Sequence, residues 1–232
     1  MDDAAPRLAV VDVETSGWRA ARHRIVQLAV VTSRADGTVL DRWSTLVAPL
    51  GRRVGPTEVH GLARHHLRGA PSFARVAPEL LRRLDGAVFV AHHAAFDWAF
   101  VTTELYRCGY RVPRAEVLCT LRLSRASDPE RQLSHRLPDV CERWGVPLAG
   151  HHDALADAEA TAALVPHLLG ASPAPLPAPV SWAHAAPSWP RCGAPVRWAR
   201  ARFGRVRAAA TVTPALPPAP IKRNEPSAPS GR

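Results

Sequence analysis

Short apolar runs follow one another in an order that narrows the fold of this chain. The predicted elements are strands at 7–13, 25–33, 38–47, 87–91 and near 116–119, and helices at 73–84, 94–108, up to 145, and 153–169. The pair Asp36-Gly37 predicts a hairpin turn between the second and third strands. Three consecutive strands, followed by strands that alternate with helices, are typical of a mixed sheet covered by helices. We therefore predict an α/β fold with a five-stranded mixed sheet.

Charge and proline content divide the chain near Gly170. Residues 1–170 hold 21 basic and 19 acidic residues, whereas residues 171–232 hold nine basic residues, one acidic residue and 13 of the 23 prolines. The formal net charge of +10 therefore arises mainly after Gly170. Proline-rich stretches with few core-forming residues do not fold by themselves. We predict a globular domain over 1–170 and a disordered Pro/Ala/Arg-rich tail over 171–232.

Aromatic residues alternate with arginines in one part of this tail. They are Trp182, Trp189, Trp198 and Phe203, interleaved with Arg191, Arg197, Arg200, Arg202, Arg205 and Arg207. Such a segment could grip single-stranded nucleic acid, because arginine neutralises phosphates and aromatic rings stack on bases. A short helix over 196–206 could instead dock on a protein partner. A third interpretation is a solvated stretch shaped by a GC-rich genome, since the chain has 29 arginines but one lysine.

Cysteine spacing and hydropathy exclude several classes of protein. The four cysteines form no C-x-x-C pair, so no structural zinc site is expected. The first residues, MDDAAPR, lack the apolar core of a secretory signal, and no run of about 18 apolar residues is present. We expect a reduced, cytoplasmic protein with no membrane contact.

Two carboxylates stand at the end of the first predicted strand. Asp12 and Glu14 are two residues apart, so both side chains project from the same face. Acids held together at the end of a buried strand repel each other unless a cation neutralises them. The pair therefore indicates a cation site, although a solvated strand end would show the same pattern.

Two further acids and a histidine lie at the starts of predicted helices. Asp97 falls in the first turn of helix 94–108, where the helix dipole alone would favour an acid. Asp157 lies one turn into helix 153–169, and His152 precedes it by five residues. A histidine with a pKa near ~6.5 can accept a proton from an attacking water at neutral pH. His151 is an adjacent competitor for that role, and a polar histidine before a helix is the ordinary alternative.

Three segments around these residues resemble a known family. VDVETSG (11–17), HHAAFDWAF (92–100) and HDALADA (152–158) are similar to the three motifs of DEDDh-type 3′-5′ exonucleases, a group that includes the proofreading epsilon subunit of bacterial DNA polymerase III. Segments 56–62, 120–123 and 137–146 agree with the same family. Two positions depart from its usual pattern: His93 stands where asparagine is usual, and Cys119 where aspartate is frequent.

The resemblance implies a fold and a chemistry. The fold would be ribonuclease-H-like. Two divalent cations, Mg²⁺ or Mn²⁺, would be held by Asp12, Glu14, Asp97 and Asp157, with His152 as general base. Two such ions clamp the attacking and leaving oxygens of an in-line displacement. The implied activity is hydrolysis from the 3′ end of single-stranded DNA, in proofreading or repair, with release of nucleoside 5′-monophosphates.

The same resemblance suggests residues that contact the substrate. They are Thr15, Ser16, Trp18, His60, His92 and Phe96. A DNA polymerase subunit is an implied partner, bound through the tail. Two alternatives remain open: an exoribonuclease of the same chemistry, and a non-catalytic module that binds nucleic acid or a polymerase.

Overall fold

A five-stranded mixed sheet forms the centre of the protein. The computed structural model describes residues 6–49, 54–150 and 152–182. The strands are β1 (Arg7–Thr15), β2 (Ile25–Ser33), β3 (Val39–Leu46), β4 (Ala87–Ala91) and β5 (Leu118–Cys119), in the spatial order β3-β2-β1-β4-β5. The first three strands pair antiparallel, and β4 and β5 then run parallel to β1. The predicted α/β fold with a mixed sheet is confirmed.

Helices cover both faces of the sheet. They are α1 (Thr57–His60), α2 (Phe73–Leu84), α3 (Ala94–Arg107), α4 (Thr120–Ala126), α5 (Leu137–Trp144) and α6 (Ala154–Ala171). On one face, buried residues of α2 and α3 pack against alternate side chains of β1 such as Val11; on the other, α4, α5 and α6 pack against Val10 and its neighbours. Strand β2 is buried along its whole length, as its apolar sequence predicts.

The structure differs from the prediction at one strand boundary and in one additional helix, and both differences matter for the site. Strand β1 ends at Thr15 rather than at residue 13, so Asp12 and Glu14 lie within the strand and are fixed by its pairing with Ala29 and Gln27. A helical turn, α1, stands over Thr57–His60, where no element was predicted. The hairpin turn forms as predicted, and Thr38 N–H donates to Asp36 Oδ1 over 2.8 Å.

The packed part of the chain continues beyond the predicted boundary at Gly170. Val180 pairs with Ala87 in an antiparallel bridge, and its carbonyl oxygen accepts from the Gly86 N–H over 2.9 Å. Trp182 is 4% exposed, its ring centroid lies 5.8 Å from that of Trp98, and its N–H donates to Asp85 Oδ1. The packed part of the chain therefore reaches Trp182, 12 residues past the predicted boundary, and Trp182 lies in the core rather than in a base-stacking position. The apolar character of Val180 and Trp182 is the physical reason.

The rest of the predicted tail lies outside the described residues. This applies to Trp189, Trp198, Phe203 and the arginines between them. Among the helices that the structure describes, none combines the length and apolar character required to cross a bilayer. Of the described cysteines, Cys141 is buried and Cys108 and Cys119 are partly buried, all as free thiols.

Candidate active site

A cavity of about 530 Å³ opens where the parallel strands β1 and β4 end. The carboxyl ends of parallel strands are the usual position of a ligand site in an open α/β sheet. The cavity is lined by Asp12, Val13, Glu14, Thr15, Gly17, Trp18, Pro56, Val59, His60, His92, His93, Phe96, Asp97, Arg136, Leu137, Pro138, Asp139, His152 and Asp157. Every residue predicted for the site is among them except Ser16.

Three acids of the predicted set are buried around this cavity. Glu14 is 8% exposed, and Asp97 and Asp157 are each 5% exposed, whereas Asp12 is partly exposed. Strand β1 supplies Asp12 and Glu14, helix α3 supplies Asp97, and helix α6 supplies Asp157. The fold therefore brings together carboxylates that are up to 145 positions apart in sequence.

The backbone of β1 holds Asp97 in place. Val13 N–H donates to Asp97 Oδ1 over 3.2 Å. Val13 lies between the two acids of β1, so the third acid is anchored to the same strand. A buried carboxylate that accepts from a backbone N–H has a restricted orientation, because a lost hydrogen bond in a buried position is costly.

His152 is placed by the start of α6. Asp153 caps this helix by accepting from the N–H groups of Leu155 and Ala156. The His152 N–H lies 3.3 Å from Asp157 Oδ2, and His152 Nδ1 lies 3.8 Å from Glu14 Oε1. His152 has a φ of 69°, a left-handed conformation uncommon outside glycine. The imidazole of His152 therefore lies beside the acids.

Gln27 is a residue that sequence reasoning missed. It lies on β2, is 8% exposed, and donates through Nε2 to Asp153 Oδ2 over 2.9 Å. Its Oε1 lies 3.4 Å from the N–H of Ala154. Gln27 thus fastens the start of α6, and with it His152, to the sheet. A single amide within the otherwise apolar run Ile25–Val31 was the signal that could have revealed it.

The acids raise one another's pKa. Burial raises the pKa of Glu14 to about 8, and the charges of Asp157 and Asp97 add to the effect. Burial raises the pKa of Asp97 to about 7, although the N–H groups of Asp97 and Val13 oppose the shift. The pKa of Asp12 is also raised well above its ordinary value, by burial and then by Asp97, Asp157 and Glu14. Four carboxyl groups at such a site are stable as carboxylates when cations neutralise them.

The donor set fits a hard divalent cation. Ligand atoms of Glu14, His152 and Asp157 lie within 4.8 Å of one another. Oxygen-rich sites of this kind suit Mg²⁺ and Mn²⁺, which prefer carboxylates. Asp12 and Asp97 line the same cavity and offer further carboxylate oxygens.

Two aromatic rings stand at the mouth of the cavity. Trp18 is 78% exposed, and its ring centroid lies 6.2 Å from that of Phe96 in an edge-to-face arrangement. Phe96 packs in turn on Phe100 in the core. An exposed indole next to buried acids is a surface on which a base can stack.

The loop that carries Trp18 is fastened to α3 by a buried ion cluster. Arg24 Nε and Nη2 donate to the Glu104 carboxylate over 2.5 and 2.7 Å, and Glu104 is 1% exposed. Arg107 donates to the carbonyl oxygens of Ala20, Ala21 and His23. The loop 16–24 is therefore held against the helix that also supplies Phe96 and Asp97.

Other predicted substrate contacts are used partly by the protein itself. Thr15 Oγ1 donates to the Gly17 carbonyl, and Ser16 Oγ accepts from the Arg24 N–H. His60 Nδ1 accepts from the Leu62 N–H. Ser16 thus closes the loop and does not line the cavity. Thr15 and His60 form hydrogen bonds within the protein and also line the cavity.

His92 is occupied on both sides of its ring. Its Nε2 donates to the His135 carbonyl over 3.0 Å, so Nδ1 accepts from Thr120 Oγ1. Burial lowers the pKa of His92 to about 4. The ring is therefore neutral and joins the end of β4 to α4 and the segment before α5.

Comparison with known proteins identifies the family. The family model of the RNase T exonucleases matches residues 9–165. A PolC-type DNA polymerase III of Halalkalibacterium halodurans is 34% identical over 157 residues, which are 67% of this chain and 11% of that protein. The 3′-5′ exonuclease DinG of Bacillus subtilis is 33% identical over 159 residues, 67% of this chain and 17% of that protein. This chain belongs to the RNase T family, and the predicted resemblance to DEDD-type 3′-5′ exonucleases is confirmed.

Solved structures agree on the fold. Exonuclease X in complex with 5′-overhanging duplex DNA has a TM-score of 0.57 at 24% identity, with 77% of this chain and 97% of that chain covered. E. coli exonuclease I in complex with a dT13 oligonucleotide has a TM-score of 0.62 at 18% identity, with 72% and 42% covered. The match therefore spans nearly all of the exonuclease X chain, but only 11–17% of the two curated relatives named above.

Proposed function

We propose that this protein is a 3′-5′ exonuclease that hydrolyses single-stranded DNA and releases nucleoside 5′-monophosphates. The observation that carries the proposal is the convergence of Asp12, Glu14, Asp97 and Asp157 with His152 in one cavity. The acids would hold two divalent cations, Mg²⁺ or Mn²⁺. Bound there, such ions neutralise the phosphodiester and stabilise the charge that develops on the attacking and leaving oxygens.

The side chains of the protein supply the proton transfer and its geometry. His152 accepts the proton of the attacking water through its imidazole, and Glu14, 3.8 Å from Nδ1, orients the ring. The Asp153 cap and Gln27 fix the backbone on which His152 stands. A base that is held in place before the substrate binds lowers the entropic part of the barrier.

The terminal nucleotide would lie between the acids and the exposed indole. Trp18 offers a stacking face at the mouth of the cavity, and its indole is in edge-to-face contact with the ring of Phe96. Stacking on aromatic rings does not depend on base identity, which suits an enzyme that removes every nucleotide in turn. DNA is favoured because the relatives include a DNA polymerase and the two solved neighbours described above are complexes with DNA.

Digestion of end-labelled strands tests this function. Matched 5′-labelled DNA and RNA oligonucleotides would be incubated with Mg²⁺, with Mn²⁺ and with chelator, beside the Asp12→Ala variant. We expect a cation-dependent ladder that shortens from the 3′ end, faster on DNA, and absent in the variant. A ladder that persists in Asp12→Ala would contradict the cation-binding assignment. No ladder in any condition would favour the alternative of a non-catalytic binding module.

RNA is the second candidate substrate. A 3′-exonuclease that recognises the 3′ end of a histone mRNA stem-loop has the same fold, with a TM-score of 0.59 at 13% identity. At that identity the likeness concerns the fold alone. Faster digestion of RNA than of the matched DNA would replace DNA by RNA in the proposal and leave the chemistry unchanged.

The segment after Trp182 is our proposed contact with a polymerase subunit or with nucleic acid. Its basic residues would release counterions on binding a strand, so removal of residues 183–232 would flatten the salt dependence of binding. An unchanged salt dependence would favour docking on a protein partner.

A further inference from the structure

A second cavity adjoins the candidate active site. It has a volume of about 270 Å³ and is lined by His92, His93, Leu121, Arg125, His135 and Arg136, which we call the basic groove. Three of these residues, His92, His93 and Arg136, also line the cavity that holds the acids. The groove is therefore a lateral continuation of the active-site cavity, along the ends of β4 and α4.

The formal charges of the basic groove, those of Arg125 and Arg136, are both positive. None of its six lining residues is acidic. Arg125 and Arg136 are exposed, and no described residue forms an ion pair or hydrogen bond with either guanidinium. By contrast, Arg24 and Arg42 are each paired with a glutamate. Burial lowers the pKa of His92, and the nearby charge of Arg125 acts in the same direction.

The floor of the basic groove is held by hydrogen bonds. His92 Nε2 donates to the His135 carbonyl over 3.0 Å, and His135 Nδ1 lies 2.9 Å from Ser124 Oγ. His135 Nε2 lies 3.2 Å from Asp128 Oδ2 without hydrogen-bond geometry, whereas Asp128 accepts a hydrogen bond from the N–H of Leu133 over 2.9 Å. A surface that is ordered before binding loses little entropy when a ligand arrives.

We propose that the basic groove binds the phosphodiester backbone of the strand on the 5′ side of the terminal nucleotide. Arg125 and Arg136 each contact a phosphate, since a guanidinium matches the oxygens of a phosphate with two parallel donors. Backbone contacts carry no sequence information and set the register of the strand. This inference rests on the proposed function, because it takes the acids as the position of the 3′ end and places the preceding nucleotides in the adjoining groove.

Binding and hydrolysis of two ligands of different length test the proposal. The first is a 5′-fluorescein-labelled DNA decanucleotide, and the second is the p-nitrophenyl ester of thymidine 5′-monophosphate, whose single phosphodiester would lie at the acids, away from Arg125, which lines the groove but not the active-site cavity. The variant is Arg125→Ala/Arg136→Ala. The matched control is Arg122→Ala, an exposed arginine on the same helix that lines neither cavity.

We expect the double variant to bind the decanucleotide about tenfold or more weakly, the effect of losing one or two charge-assisted contacts. Its KM for the decanucleotide should rise about tenfold more than its KM for the ester. The salt dependence of log Kd should flatten by about 0.7 for each phosphate contact removed. Arg122→Ala should match the wild type with both ligands.

Three results would overturn the proposal: equal KM effects on both ligands, an unchanged salt dependence, or the same loss in Arg122→Ala. Failure of the proposed function gives a different pattern. A wild-type protein that hydrolyses neither ligand contradicts the exonuclease assignment, whereas the binding measurement with the decanucleotide still decides the role of the basic groove.

Discussion

Val13 and Asp97 are joined by a hydrogen bond of 3.2 Å from the strand N–H to the helix carboxylate. This bond places the acid of α3 next to Asp12 and Glu14, which flank Val13 on β1. The metal-binding geometry that we propose thus depends on the strand backbone as much as on the acids. An amide at position 97 could keep the bond while removing the charge.

Asp97→Asn should therefore separate folding from activity. Without cations and at pH 8, above the folded-state pKa of Asp97 of about 7, its melting temperature should exceed that of the wild type, because one of four mutually repelling groups becomes neutral. Its exonuclease rate should fall by at least about a hundredfold, because a neutral amide is a poor ligand for a hard cation. Calorimetry in chelator and a single-turnover assay in Mg²⁺ would measure the two effects. A lower melting temperature in chelator would contradict the prediction.

The cation-free protein should lose stability as the pH rises. The pKa of Glu14 is about 8 in the folded state and near ~4.3 in an unfolded chain. Between these values the folded protein keeps a proton that the unfolded chain has released, so the free energy of unfolding falls with increasing pH. Asp97, with a pKa of about 7, adds to the slope below that pH.

Urea unfolding in chelator at pH 5, 6, 7 and 8 would measure this slope. Glu14→Gln serves as the control, since it has no proton to lose and should show a smaller decline. A stability that does not fall from pH 5 to pH 8 in chelator would show that these carboxyl groups are ionised in the folded protein over this range.

Glu104 should be essential for stability. Its removal leaves the guanidinium of Arg24, 15% exposed, without its carboxylate partner. Breaking a buried ion pair on one side costs about 3–5 kcal/mol, so Glu104→Ala should lower the free energy of unfolding by that amount. Glu159→Ala, which breaks the exposed ion pair with Arg42, is the matched control and should have a much smaller effect. Similar losses in both variants would contradict a special role for the cluster.

Trp18 and Trp182 should give opposite phenotypes. Trp182→Ala should lower the free energy of unfolding by about 3–5 kcal/mol, because the indole is 4% exposed, while the KM of the folded fraction stays at the wild-type value. Trp18→Ala should leave stability unchanged and raise the KM for single-stranded DNA, because its indole is 78% exposed at the cavity mouth. Chemical denaturation and steady-state kinetics on both variants would check this pair. A stable Trp182→Ala protein would mean that the segment before it contributes little to the domain.

The sequence predicted most of the sheet and the acidic site for physical reasons. Apolar runs such as Ile25–Ser33 have one stable placement, in a buried strand, and the acids stand at the ends of such runs. Asp12 and Glu14 were predicted to share a face, and the pairing of β1 with β2 fixes them in that way.

The sequence did not reveal contacts that depend on tertiary proximity. Gln27 and Asp153 are 126 positions apart, and only the assembled sheet and helix bring them together. The proline-rich composition after Gly170 did not indicate the burial of Trp182, because a single indole in such a stretch can still pack in the core. Ser16 was predicted to face the substrate, but the hairpin-like closure of loop 16–24 directs its hydroxyl to Arg24.

The bridge between Val180 and Ala87 places the last described residues at the end of β4 that lies opposite the cavity. Ala87 begins β4, whereas the cavity lies beyond Ala91 at the other end of the same strand. One strand of five residues spans about 17 Å, so the contacts of Val180 and Trp182 stabilise the sheet at a distance from the acids. Packing of the C-terminal residues and the acidic cavity therefore occupy opposite ends of one strand.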